Sequence, residues 1–308
     1  MKPKVTIIMA TYNRAHFIAE TLEAIQAQSF KDWECLIIDD GGTDNTHEII
    51  ASILKEDNRF QFLKRPELYI KGLPGSRNYG LDLSRGDYII FFDDDDMVHP
   101  DNLKTVLKVM ESNKVEFCHY QKLAYEAQKP VIENTPITIL QYLTKDDIED
   151  VLTQRIGLAS CTVLWKKECF DKIRFNENLL YAEEWECYSR LLSENFKGIM
   201  ISNVLYYNRK HPVSNTGEFY NQNHIRRESY TEAILLVLRN LKEKQLLTDS
   251  LKRYFVAISK DFEEYNLFNA VLNALELPIF ERIKWHFFYY TLPLRLKLYR
   301  IKKEIKIN

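Results

Sequence analysis

The amino-acid sequence predicts an α/β protein with a mainly parallel sheet flanked by helices, followed by a helical C-terminal extension. In the first third of the chain, short apolar segments typical of buried strands alternate with amphipathic helical segments. Short connections between such elements give right-handed crossovers and therefore parallel neighbouring strands. From about residue 225 onward, the hydrophobic periodicity is helical.

The first strand covers residues 5–10, and Asn13 is expected to cap a helix that runs from Arg14 to about residue 28. The second strand, residues 34–38, ends in two aspartates, and Thr43 or Asp44 can cap the helix that follows.

Residues 60–63 form the third predicted strand, and residues 72–80 a glycine-bearing loop that leads into a short helix. The fourth strand, residues 87–92, leads directly into an aspartate run, after which Pro100 is expected to open a helix. The middle of the chain is less periodic, with predicted strands at 161–165 and 197–207 and a helix at 183–193.

Composition excludes several classes of protein. The chain has 308 residues, of which 45% are hydrophobic, enough for a large α/β domain with a smaller appendage and too many for a disordered chain. The net charge of −2 gives no general attraction to nucleic acid, so no nucleic-acid partner is expected. With no signal segment and no membrane-span pattern, we expect a cytoplasmic protein. Five cysteines without metal-ligand spacing are expected to be core residues: Cys35, Cys118, Cys161, Cys169 and Cys187.

Four consecutive aspartates, residues 93–96, follow the fourth strand. Two carboxylates about 5 Å apart repel by about 3 kcal/mol in a partly shielded site, but by less than about 1 kcal/mol in water. A solvated turn would tolerate this repulsion, whereas at the carboxyl edge of a sheet a divalent cation would offset it. Mg²⁺ and Mn²⁺ prefer such oxygen ligands. Ligands of parallel sheets bind at that edge. Residues 11–14 and 39–40 also follow strands, so they should lie close to the four aspartates.

Four segments of the chain form a recognisable set: Val-Thr-Ile-Ile-Met-Ala-Thr-Tyr-Asn-Arg at 5–14, Ile-Ile-Asp-Asp-Gly-Gly-Thr-Asp at 37–44, Gly-Ser-Arg-Asn-Tyr-Gly at 75–80 and Phe-Phe-Asp-Asp-Asp-Asp at 91–96. In their order and spacing they resemble the large family-2 inverting glycosyltransferases, whose fold is the GT-A (nucleotide-diphospho-sugar transferase) fold. The likeness covers about the first 110 residues, and further matching segments extend it to about residue 215.

The resemblance implies a set of residues that bind the donor nucleotide. Thr11 and Tyr12 would flank the nucleoside, Asp40 would bind the base or ribose, and Arg77 would face the base or the diphosphate. Taken singly, the aspartates at 39 and 40 could instead cap the next helix, and Arg77 could pair with a surface acid. The implied donor-binding set is Thr11, Tyr12, Asn13, Arg14, Asp39, Asp40, Arg77, Asp93 and Asp94.

The resemblance also implies a metal site and a catalytic base. Asp93 and Asp95 would form the DxD pair that binds Mg²⁺ or Mn²⁺, and His211 could reach the metal or the diphosphate. Glu184 matches the base that takes the proton of the acceptor hydroxyl, with Glu183 as the alternative. This chain has Glu where the family usually has Asp, and an acidic first helical turn favoured by the helix dipole is the other interpretation.

The implied reaction is inverting, metal-dependent transfer of a sugar from a nucleoside diphosphate, with uridine as the usual base. The acceptor would be a hydroxyl of a glycan or a lipid-linked glycan in surface-polysaccharide biosynthesis. Residues 1–220 would be the catalytic domain, with donor binding in 1–110 and the acceptor side in 111–220, and residues 221–308 a helical extension. The alternatives are a weakly active homologue that serves as an assembly subunit, and a sugar nucleotidyltransferase, whose glycine-rich basic loop is missing near the amino terminus.

Residues 278–308 combine many aromatics with eight basic residues against two acidic ones. This composition suits a peripheral helix on the anionic inner face of a membrane. A helix that packs its aromatics on the catalytic domain is the other interpretation. Pro293 argues against a single unbroken helix.

Overall fold

A computed structural model of the chain describes residues 2–126, 128–211, 215–261 and 265–305. These residues form nine strands that belong to one sheet. The strands are β1 Val5–Thr11, β2 Trp33–Asp39, β3 Phe60–Lys64, β4 Tyr88–Phe91, β5 Met97–Val98, β6 Phe117–Tyr125, β7 Ile139–Leu143, β8 Val163–Lys166 and β9 Gly198–Arg209. The α-helices of the described part are α1 Ile18–Gln26, α2 Thr46–Glu56, α3 Leu73–Leu83, α4 Asn102–Asn113, α5 Ile148–Leu152, α6 Glu183–Ser193, α7 Asn215–Tyr220, α8 His224–Glu243, α9 Asp249–Asp261, α10 Tyr265–Ala274 and α11 Ile279–Ile305.

The strand order in the sheet is β3-β2-β1-β4-β8-β6-β9-β5, and β7 pairs with β9 beside this path. The neighbours β3, β2, β1 and β4 are all parallel, and so are β6 and β9. The strand β8 lies antiparallel between β4 and β6, and so joins the two parallel parts. The predicted α/β class with a mainly parallel sheet is therefore confirmed.

The first strands form because their apolar side chains are covered on both faces of the sheet. Ile7 and Met9 of β1 belong to the same buried cluster as Leu22 of α1. Burying one such aliphatic side chain stabilises the fold by roughly 1.5–3 kcal/mol. On α3, a Cβ at Gly80 would lie 2.5 Å from the Ile8 side chain, so this glycine allows the helix to pack closely on β1.

The predicted helix after β1 begins later than expected, and Asn13 does not cap it. The helix α1 begins at Ile18 rather than Arg14. Asn13 has a φ of 54°, a left-handed conformation that asparagine tolerates, and its Oδ1 accepts the backbone N–H of Thr43 at 2.7 Å. The side chain thus links two loops at the rim of the sheet, which leaves it unavailable for the helix.

Three other predicted boundaries are also corrected. Residues 72–80 are helical from Leu73 onward, and glycine at 75 is needed because a Cβ would lie 2.0 Å from the Ile70 carbonyl oxygen. The helix α4 begins at Asn102 rather than at Pro100. The helix α11 continues through Pro293, and the residues on both sides of the proline are helical. The proline removes only one N–H donor from the helix.

The elements predicted in the middle of the chain are present. The helix α6 has the predicted bounds, and β8 and β9 lie at the two predicted strands. All five cysteines are buried and free, as expected of core residues.

The chain divides into two compact units, residues 1–233 and residues 234–308. The first unit contains the whole sheet. In the second unit α9 packs against α10, and Phe255 and Phe268 are fully buried. None of the helices in the described residues is both long and apolar enough to cross a membrane.

Candidate active site

The carboxyl ends of β1, β2 and β4 lie side by side, because β1 pairs with both of the other strands. The backbone N–H of Asp40 donates to the carbonyl of Thr11 at 3.0 Å, which joins the ends of β1 and β2. Tyr12, the next residue after Thr11, is 46% exposed, and the Nζ of Lys71 lies 4.6 Å from its ring centroid. This rim offers a flat aromatic surface of the kind on which a base can stack.

The two aspartates at the end of β2, Asp39 and Asp40, hold loops in place around the rim. Asp40 pairs with Arg65, and its Oδ1 accepts the N–H of Gly72 at 3.1 Å. Asp39 accepts the N–H of Gly42 at 2.8 Å. Neither carboxylate caps α2, whose first N–H is bound by Asp44. The helix-capping interpretation of these two residues therefore does not hold.

The four aspartates that follow β4, residues 93–96, differ in their surroundings. Asp96 is fully buried and accepts the backbone N–H of Arg209 at 2.7 Å. Asp94 is nearly buried and lies 3.3 Å from the Nε of Arg14. Burial raises the pKa of Asp94 to about 7 and that of Asp96 to about 8. The fold therefore places carboxyl groups where water cannot fully solvate their ionised form.

The remaining two aspartates are the ones that stay accessible. The carboxylate of Asp95 lies 2.9 Å from the Nε2 of His211 and 3.8 Å from the Nη2 of Arg14. The side chain of Asp93 is 39% exposed, and its Oδ1 lies 3.7 Å from the Nη2 of Arg77. The structure thus brings the predicted ligands Asp95 and His211 together, with Asp93 on the side of the loop that faces Arg77.

The side chains of this loop fit a hard divalent cation, because the available donors are carboxylate oxygens. In the described part of the chain, three potential ligand atoms lie within 4.8 Å of one another, on Asp93, Asp96 and Cys161. This set shares only Asp93 with the predicted ligands. Burial holds the pKa of the Cys161 thiol well above its ordinary value, so the sulfur stays protonated. Asp96 already accepts the backbone N–H of Arg209 at 2.7 Å and lies 3.4 Å from the side-chain amide nitrogen of Asn208.

A buried arginine joins the aspartate loop to the second acidic motif. Arg77 is 3% exposed, and its Nη1 lies 3.1 Å from the Oε1 of Glu183. Although burial opposes it, the nearby Glu183, Glu184 and Asp93 raise the pKa of Arg77. The partner of Arg77 is therefore a buried acid of the site rather than the surface acid of the alternative interpretation.

The two glutamates that open α6 have different surroundings. Glu183 is buried against Arg77, and burial raises its pKa despite that neighbour. Glu184 is half-buried, and its Oε2 accepts the backbone N–H of Ser160 at 2.9 Å. Ala182 precedes them with a φ of 61°, a strained conformation that sets the start of the helix. Glu184 is thus the better placed of the two to meet a substrate.

Two residues of the site are absent from the sequence-based set. Ser160 accepts a hydrogen bond from the Nη2 of Arg77 at 2.8 Å while its own N–H holds Glu184. Arg209 donates from Nε to the carbonyl of Asp95 at 2.8 Å and pairs with Glu20. Arg209 stands two positions before the predicted ligand His211, so its place in the sequence is a usable signal. Ser160 lies in an aperiodic segment that offers no such signal.

The buried aspartates predict how stability depends on pH. Because the pKa of Asp94 and Asp96 rises from 3.8 to about 7 and 8, the folded chain binds more protons than the unfolded chain between about pH 4 and 8. Stability without metal should therefore fall as pH rises through that window. We expect the Tm in EDTA to be several degrees lower at pH 8 than at pH 5, because about 1 kcal/mol corresponds to roughly 2–4 °C.

Differential scanning fluorimetry with and without Mn²⁺ checks this expectation. Added Mn²⁺ should raise the Tm more at pH 8 than at pH 5, since a cation favours the ionised carboxylates. The variant Asp96→Asn should flatten the pH profile in EDTA. An unchanged profile in that variant would show that other groups control the pH dependence.

The mainly parallel sheet with an acidic loop at its carboxyl edge is the arrangement expected of the GT-A fold. Residues 6–167 match the family described as glycosyl transferase family 2, and the chain belongs to this family. An amylovoran biosynthesis glycosyltransferase, AmsB of Erwinia amylovora, is 26% identical over 283 residues, 83% of this chain and 91% of that protein. An uncharacterized glycosyltransferase of Rickettsia felis is 31% identical over 197 residues, which are 63% of this chain. The chain spans about 31% of the length of that Rickettsia relative.

Solved structures share the fold. TarS 1-349 of S. aureus in complex with UDP-GlcNAc has a TM-score of 0.70 at 19% identity, covering 88% of this chain and 79% of the other. The mannosyltransferase PcManGT from Pyrobaculum calidifontis, in complex with GDP-Man and Mn²⁺, has a TM-score of 0.58 at 15% identity, covering 90% and 75%. The predicted family and the GT-A fold are therefore confirmed, and the family favours a glycosyltransferase over a sugar nucleotidyltransferase.

Proposed function

We propose that this protein transfers a sugar, with inversion, from a nucleoside diphosphate to a hydroxyl of a glycan or a lipid-linked glycan. One observation carries the proposal. Arg77 contacts both Asp93 of the aspartate loop and Glu183 of the second acidic motif, so the donor side and the acceptor side form one site. An acidic turn without a function would not be expected to share the buried guanidinium of Arg77 with a second acidic helix.

The rim of the sheet would hold the donor. Tyr12 offers its exposed ring to the base, and the Asp40 carboxylate, fixed by Arg65 and Gly72, accepts from the base or the ribose. Asp93 and Asp95 would hold Mg²⁺ or Mn²⁺, and such an ion, when bound, stabilises the charge of the departing diphosphate as a Lewis acid. Arg14 lies against Asp95 and can contribute a further positive charge to the same region.

Glu184 would take the proton of the acceptor hydroxyl as general base. Its carboxylate is oriented by the Ser160 N–H and remains partly exposed. Glu183 would act through Arg77, since its carboxylate lies 3.1 Å from the guanidinium. A positioned base contributes about 10²–10⁴-fold to such a reaction. Attack opposite to the leaving diphosphate inverts the anomeric carbon.

The similar proteins support the choice of substrates. TarS is solved with UDP-GlcNAc and PcManGT with GDP-Man and Mn²⁺, which favours a nucleotide sugar and a divalent cation. AmsB is named for amylovoran biosynthesis, and a Campylobacter jejuni protein 33% identical over 106 residues is named for glucosyl transfer to a polyprenyl-linked glycan. These names support a role in surface-polysaccharide biosynthesis, which we propose takes place at the inner face of the membrane.

A donor screen tests the proposal directly. Thermal shift with UDP-, GDP- and dTDP-sugars should give the largest increase in Tm for a UDP-sugar together with Mn²⁺. The same donor should be slowly hydrolysed by the purified protein, and EDTA should remove the hydrolysis. Binding without any turnover, in the presence of Mn²⁺, would instead favour a binding subunit, and the absence of both would refute the proposal.

A further inference from the structure

The helix α11 exposes a continuous apolar stripe. Phe280, Ile283, Phe287, Tyr290 and Leu294 recur three or four positions apart, which places them on one face of the helix. Each is between 60% and 79% exposed. Aromatic and aliphatic side chains of this size are seldom left exposed in a row on the surface of a soluble domain.

Other residues of α11, outside the stripe, make the contacts of this helix with the second unit. Arg282 donates to the Oδ1 of Asn273 at 2.6 Å, and Tyr289 stacks on Phe268 of α10 with ring centroids 4.4 Å apart. The packed side of α11 within the second unit is thus occupied by other residues.

The charge of the same segment indicates what the stripe meets. Residues 278–308 carry eight basic residues and two acidic ones, in a chain whose net charge is −2. On the helical repeat, Lys284 and Lys297 lie beside the apolar stripe, one on each side, and both are exposed. A second copy of such a helix would bring like charges together, whereas an anionic lipid surface would attract them.

We propose that α11 lies in the interface of an anionic membrane, with the apolar stripe among the acyl chains and the flanking lysines at the headgroups. A helix of 27 residues with one apolar face and a basic polar face suits this position, and α11 is not apolar enough to span the bilayer. The inference deepens the proposed function, on which it rests for the lipid-linked acceptor. Membrane binding itself needs no sugar transfer.

Vesicle sedimentation tests the inference with the full chain. Vesicles of 30% phosphatidylglycerol in phosphatidylcholine should bind the protein at least ~10-fold more tightly than pure phosphatidylcholine vesicles, and added salt should weaken the binding. The double variant Phe280→Glu and Phe287→Glu should lose at least ~10-fold in affinity. The variant Lys284→Glu with Lys297→Glu should lose affinity for the anionic vesicles alone.

A matched control and a second readout keep the outcomes separate. Val131→Glu changes an exposed apolar residue of the other unit and should leave vesicle binding unchanged. Hydrolysis of the nucleotide sugar in solution should be the same in the wild type and in both helix variants. If none of these proteins hydrolyses the nucleotide sugar, that result contradicts the proposed function but not the membrane inference. Equal vesicle binding by wild type and the phenylalanine variant would overturn the inference. So would sedimentation of the lipid-free protein as a dimer that the same variant dissociates.

Discussion

Asp95→Ala is expected to abolish metal-dependent sugar transfer while leaving the fold intact. The carboxylate of Asp95 is partly exposed, and it lies within 4 Å of His211 and Arg14. Without it, a cation at the diphosphate loses a direct ligand, and we expect the rate to fall by at least ~10²–10³-fold. The loss of one charge also relieves repulsion among the four aspartates, so the Tm without metal should change by no more than a few degrees.

The comparison variant is Asp87→Ala, at the opposite end of the β4 strand. Its side chain is 49% exposed and pairs with Lys2 and Lys4, pairs that contribute little to stability at the surface. Transfer at saturating Mn²⁺ should stay near the wild-type rate in this variant. Near-normal transfer by Asp95→Ala, or an equal loss in both variants, would place the metal elsewhere.

Glu184→Gln should remove transfer and leave donor binding nearly unchanged. The amide can still accept from the Ser160 N–H, so the local geometry is retained, but it cannot take a proton. We expect kcat to fall by about 10²–10⁴-fold while the Kd for the nucleotide sugar changes by less than about twofold. Single-turnover kinetics together with calorimetric titration of the donor separates the two effects.

Glu183→Gln is the matched comparison, one residue away and isosteric in the same manner. It leaves Arg77 buried without its closest counter-charge, and breaking such a pair costs roughly 3–5 kcal/mol. This variant should therefore unfold at a lower temperature and bind the donor more weakly. If Glu183→Gln instead removes transfer with an unchanged Tm and intact donor binding, Glu183 is the base.

The parts of the fold that follow from local periodicity could be predicted from the sequence. The strands β1, β2 and β4 are continuous apolar segments buried on both faces, and α6 begins at an acidic first turn. Their common edge follows from parallel connectivity alone. The convergence of residues 11–14, 39–40 and 93–96 could therefore be deduced before any coordinates were known.

The parts of the fold that depend on contacts between residues distant in the sequence could not be predicted. Asn13 looked like a helix cap, but it binds Thr43 in the next loop, and this partner is thirty positions away. Ser160 orients Glu184 through a backbone N–H in an aperiodic segment, where no pattern marks it. The antiparallel place of β8 between β4 and β6 likewise depends on pairings that span the middle of the chain. Pro293 was misleading because a proline weakens a helix locally without always ending it.

The position of the cation is the central claim, and anomalous diffraction at the manganese edge measures it most directly. A crystal grown with Mn²⁺ and a non-hydrolysable UDP-sugar analogue should show one strong anomalous peak at coordination distance from Asp95, with the diphosphate on the same ion. The uracil should lie between Tyr12 and Asp40. A peak remote from residues 93–96, or a diphosphate bound away from the carboxyl edge of the sheet, would contradict the account.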